Sequence, residues 1–246
     1  MIYNTLNQRK IQIRILFLLL IISLTACGHA NIREDTIFQS STIQNLSAGG
    51  FEGTTTFDQL RKLGDFGLGT FNELDGEMIA LDGEFLQIRS DGSVHKAVDS
   101  WTTPFAVVKR FKADSTYEIV GNPLDYEGLM DYIDEKLPNK NLPYAIKITG
   151  TFSYIKSRSV PKQKQPYPRL EEAIKHQAIF EFRDISGTMV GFRFPEYLNG
   201  INVAGYHFHF ITNDKLGGGH IIDVKIKDIK IEVDNSCCLF LILPVE

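Results

Sequence analysis

Residues 75–92 read DGEMIALDGEFLQIRSDG. Asp75-Gly76, Asp82-Gly83 and Asp91-Gly92 bracket two short apolar-rich stretches, Met78 to Leu81 and Phe85 to Ile88. Asp-Gly supplies the positive-φ pair of a tight turn whose twist matches the strands on either side, so this stretch predicts a β-meander. Upstream, Thr56 to Gly64 reads as a short helix with a threonine cap and a glycine stop. Downstream, Leu129, Met130, Ile133 and Leu137 recur at helical spacing between Pro123 and Pro138. Tyr144 to Tyr154, Ile179 to Arg183 and Thr188 to Phe194 are strand-like, the last two around a turn at Ser186-Gly187. Gly205 to Thr212 and Gly219 to Val233 continue in the same way, and Leu170 to Gln177 reads as a short helix. Strands outnumber helices without βαβ alternation. The fold class is α+β, rich in antiparallel or mixed sheet, with a few short helices.

The chain has 246 residues, 43% hydrophobic and 23% charged, which excludes a disordered or disulfide-dense protein. A net charge of −4 argues against a nucleic-acid partner. Residues 1–26 carry Arg9, Lys10 and Arg14 but no acid, and Ile15 to Ile22 is an unbroken apolar run. That run is shorter than the roughly 20 residues of a permanent membrane helix, so it reads as an export signal. Leu24-Thr25-Ala26-Cys27 resembles the lipobox of bacterial lipoproteins, with Cys27 as the acylated terminus of a membrane-anchored protein; simple secretion is the alternative. Residues 27–50 are polar and aperiodic and read as a tether, placing the folded domain at 51–246. Cys237 and Cys238 lie in an apolar run that reads as a buried strand. Core packing is their expected role, with the two side chains on opposite faces and poorly placed to bond to each other.

The histidines carry the chemical signal. In Tyr206-His207-Phe208-His209-Phe210 a strand projects both imidazoles to one face and the three aromatics to the other. After the turn-rich stretch Asn213 to Gly219, His220 opens the next strand, and a hairpin returns it beside the first two. His-x-His alone is equally the mark of a solvated strand face. Three neutral imidazoles on neighbouring strands make a metal site with open positions, the pattern of catalytic zinc, although Fe, Ni, Co and Cu also accept imidazole. His29, His95 and His176 stand apart from the trio. Taken alone, Glu77 is a strand-edge charge and Arg158 a solvated cation in a basic, proline-stiffened segment.

Together these residues carry a resemblance. Gly64 to Asn72, Leu74-Asp75-Gly76-Glu77-Met78, Arg158 to Gln163, Asn202 to Phe210 and Gly218-Gly219-His220 are similar, in the same order, to the bacterial α-acetolactate decarboxylases. The resemblance implies a zinc enzyme of two sheet-containing lobes, forming a homodimer, that converts 2-acetolactate to (R)-acetoin and CO₂. It implies zinc ligation by His207, His209 and His220, an acid beside the metal at Glu77, an active-site arginine at Arg158 and a pocket-lining threonine at Thr70. It also implies a second glutamate on a C-terminal tail, whereas this sequence ends at Glu246, so turnover below that of relatives is expected. Two other readings are a different three-histidine lyase or hydrolase, and a lipid-anchored family member that binds zinc or a keto acid with little turnover.

Overall fold

The meander forms where the Asp-Gly pairs place it. A computed structural model describes residues 35–244, so the export signal, Cys27 and the first third of the expected tether lie outside the described residues. In chain order the elements are β1 (Thr36–Ser40), α1 (Ile43–Ser47), β2 (Thr55–Thr56), α2 (Phe57–Leu63), β3 (Phe66–Thr70), β4 (Glu77–Leu81), β5 (Glu84–Ile88), β6 (Val94–Lys96), β7 (Thr102–Thr103), β8 (Ala106–Lys109) and β9 (Ser115–Ile119). There follow α3 (Tyr126–Lys136), β10 (Tyr144–Ser159), α4 (Leu170–Ala173), β11 (Ala178–Phe194), β12 (Gly205–Thr212), β13 (Gly218–Asn235) and β14 (Cys238–Ile242).

Seven strands form one sheet in the order β14-β1-β8-β3-β4-β5-β6, in which only β1 and β14 run parallel. A second sheet runs β10-β11-β12-β13-β9, and β10 also pairs with β13, so four of its strands close a ring. The sheets share a core in which Leu68, Ile79 and Val107 of the first meet Val190, Phe192 and Ile211 of the second. Alternation then sends Met189, Phe208 and Phe210 to the other face, against Leu129 and Ile133 of α3. Helix α2 covers the outside of the seven-stranded sheet. Thr56 and Gln59 form its capping box, and Phe57 and Leu60 are buried beneath it.

Three sequence expectations are corrected. The fold does not begin at Phe51: β1 is an interior strand and Thr42 caps α1. Its polar appearance misled because Gln39 and Ser40 are buried with their partners. Gln39 Nε2 donates to the Ser41 and Ile201 carbonyls, Asn202 Nδ2 donates to Gln39 Oε1, and Ser40 Oγ donates to Thr55 Oγ1. Ser186-Gly187 is not a turn, since β11 runs straight through it. A Cβ at Gly187 would lie 2.4 Å from the Phe210 ring, so the glycine serves close packing instead. Finally, β14 is an edge strand, with Cys237 exposed and Cys238 half-buried, so the thiols are not core groups.

One buried ion pair ties the sheets together. Lys109 Nζ of β8 lies 3.0 Å from Asp234 Oδ1 of β13 and donates to the Asn235 carbonyl, while the Lys112 amide donates to Asp234 Oδ2. Lys109 has no exposed surface. Removing the countercharge beside a buried ammonium typically costs about 3–5 kcal/mol. Asp234→Asn is therefore expected to lower the urea midpoint by that equivalent without changing the slope; an unchanged midpoint would show that the pair contributes nothing.

Candidate metal centre and active site

The site is assembled by strand register. His209 of β12 lies directly opposite His220 of β13, and His220 lies directly opposite Arg158 of β10. A bulge sets this second pairing. Lys156 opposes Asp223 but Ser157 opposes Ile221, so Ile222 is the extra residue, and the one-place shift aligns His220 with Arg158. Gly219, at φ +132°, leads into His220; a Cβ there would lie 2.4 Å from the Arg158 carbonyl oxygen. Arg158 thus sits on β10, which runs past Tyr154, where the sequence reading ends the strand, into the basic segment.

The three imidazoles converge. His207 Nε2 lies 3.2 Å from His209 Nε2 and 3.1 Å from His220 Nδ1. His209, 1% exposed, faces the Met78 carbonyl with Nδ1 at 2.9 Å. A carbonyl only accepts, so Nδ1 carries the proton and the Nε2 lone pair points into the trio. Burial lowers the pKa of all three rings, with Arg158 adding to the effect; His207 falls to about 3, and His209 and His220 lie well below the usual value. They are neutral donors. Ligand bonds of about 2.0–2.1 Å at tetrahedral angles place nitrogens roughly 3.3–3.4 Å apart, close to the observed separations. The trio can hold a metal ion, and its all-nitrogen donor set, joined by no thiolate and no fourth histidine among the described residues, leaves coordination positions open.

Glu77 enters from the other sheet. It opens β4 opposite Thr70 of β3, and its Oε2 lies 3.5 Å from His209 Nε2. Burial raises its carboxyl to about 7, against the opposing pull of Arg158 and the Val160 amide. The Thr70 hydroxyl, itself buried, donates to the Gly76 carbonyl at 2.7 Å, so it fastens the turn that delivers Glu77. That turn is strained: Glu73 and Leu74 have φ of 64° and 55°, and Gly76 is at 85°. The Glu73 amide donates to the Phe51 carbonyl, and Gly76 to that of Val160, holding the turn in place.

All six residues singled out from the sequence therefore lie on strands that meet here. Two contributors had escaped the sequence reading. The Met78 carbonyl fixes the His209 tautomer, and Gln177 Oε1 accepts from Arg158 Nη1 at 2.9 Å. A backbone carbonyl has no sequence signature, and a glutamine at the end of a short helical turn gives none that ties it to Arg158.

A family model described as alpha-acetolactate decarboxylase matches residues 37–246. An alpha-acetolactate decarboxylase of Methylococcus capsulatus is 46% identical over 208 residues, covering 84% of this chain and 78% of the relative. One of Methanosarcina mazei is 44% identical over 215 residues, covering 87% and 74%. The crystal structure of alpha-acetolactate decarboxylase from Bacillus subtilis strain 168 superposes with a TM-score of 0.84 at 40% identity, covering 86% of this chain and 90% of that one.

Proposed function

The chain belongs to the alpha-acetolactate decarboxylase family, and from that membership we propose that it uses zinc on His207, His209 and His220 to convert 2-acetolactate to acetoin and CO₂. The observation that carries this reading is the meeting of three neutral, convergent imidazoles with one buried carboxyl and one guanidinium. All-imidazole ligation fits zinc well.

Acetolactate is a β-keto acid. Losing CO₂ leaves an electron pair that moves onto the adjacent ketone oxygen, giving an enediolate that must be reprotonated on carbon. A dication held by neutral ligands supplies undiminished positive charge for that oxygen. Arg158, opposite His220 and braced by Gln177, offers fixed N–H donors to the substrate's oxygens in a planar fork. Glu77 is in place to hold the proton for the enediolate. Burial keeps its carboxyl partly protonated near neutrality, and its fixed position lets the proton reach one face only. Thr70 contributes by holding the Gly76 turn, and hence Glu77, in position.

The test is to incubate the purified chain with racemic 2-acetolactate and follow CO₂ and acetoin together. The expected result is stoichiometric release of both, with one acetoin enantiomer in excess. Consumption without acetoin, or a racemic product formed no faster than without protein, contradicts the proposal.

A further inference from the structure

Cys237 and Cys238 are placed otherwise than strand alternation suggests. Cys237 lies in the bend between β13 and β14, ahead of the strand, and the two sulfurs are 3.4 Å apart. Cys237 is exposed and Cys238 half-buried, and both are free thiols. They sit just beyond the C-terminal end of β13, whose opposite end carries His220, so the pair is separate from the histidine centre.

We propose that Cys237 and Cys238 form a two-sulfur chelating site for a pyramidal thiophilic centre, of which trivalent arsenic in an arsenoxide is the type. Geometry selects this chemistry. With sulfur bonds of about 2.3 Å, a 3.4 Å bite corresponds to an angle of roughly 95° at the bound atom, whereas a linear two-coordinate soft cation needs sulfurs about 4.6 Å apart. Among the described residues no third His, Cys, Asp or Glu joins the two sulfurs in a ligand group, which suits a centre that brings its own third substituent. Oxidation of the pair to a disulfide is disfavoured in comparison. Adjacent Cα atoms are about 3.8 Å apart, short of the roughly 4.4–6.8 Å that disulfides span, so the ring would be strained and easily reduced. The contact with Cys238, with desolvation and the neighbouring Cys238 and Asp35 charges, also holds the Cys237 thiol above its usual range, which limits thiolate-driven exchange. Condensation with an arsenoxide takes the thiols as they are. Two S–H bonds and the As=O bond break, two As–S bonds form, one water leaves, and no oxidation state changes.

The test uses the full chain carrying Cys27→Ser, reduced and then titrated with phenylarsine oxide. Binding is read by intact mass and by release with 2,3-dimercaptopropanol as against 2-mercaptoethanol. One arsenical per chain is expected, released by the dithiol and resisting the monothiol, with acetolactate turnover unaltered. Cys237→Ser and Cys238→Ser, both at accessible positions, are each expected to weaken binding about 100-fold or more, because the second bond loses its intramolecular advantage. Single-cysteine variants that bind as tightly as the parent overturn the proposal. So does a reduced chain that closes an internal disulfide in preference to taking the arsenical.

Discussion

His209→Ala is expected to remove the metal and the activity together. His209 is the most buried member of the trio, its tautomer is fixed by the Met78 carbonyl, and it faces His220 across the β12–β13 ladder. Two remaining imidazoles make a much weaker site. Lewis-acid stabilisation is worth several kcal/mol, so its loss corresponds to about 10³-fold or more in kcat/KM. His207→Ala and His220→Ala should behave alike, since His207 Nε2 lies within 3.2 Å of both partners. Metal analysis after gel filtration gives the readout, with near-UV circular dichroism confirming that the fold survives. A His209→Ala chain that keeps both its metal and its rate would remove the trio from the account.

The second large effect belongs to Glu77. Glu77→Gln keeps the shape of the side chain and leaves the three imidazoles in place, but it cannot deliver a proton. The expected loss is about 10²–10⁴-fold in kcat, with metal content unchanged and KM little affected. This separation distinguishes a proton donor from a ligand or a structural residue. Loss of metal in Glu77→Gln would mean that the 3.5 Å approach of its carboxyl to His209 supports the metal site instead. Full activity in that variant would exclude it from the chemistry.

Local signals in the sequence found what depends on local geometry. The Asp-Gly pairs located the β3–β6 meander, and Thr56 and Gly64 bounded α2. The spacing of His207, His209 and His220, read as a hairpin, is enough to bring the trio together. What stayed hidden depends on partners distant in the chain. Strand β1 looked like a tether because Gln39 is satisfied by Ile201 and Asn202, some 160 positions away. Arg158 looked like a solvated cation because its strand is defined by pairing with both β11 and β13, and its alignment with His220 by a single bulged residue, Ile222. The turn at Ser186-Gly187 failed for a related reason, since the glycine answers to the Phe210 ring and not to its own backbone.

The most direct measurement is a metal titration. The chain is stripped with a chelator, zinc is added back in steps, and acetoin formation is plotted against zinc bound per chain. The account predicts no activity in the stripped chain and a linear rise that breaks at one zinc. It also predicts no zinc uptake and no acetoin from a chain carrying His207→Ala, His209→Ala and His220→Ala together. Decarboxylation by the metal-free chain, or one tight zinc retained by the triple variant, would contradict it.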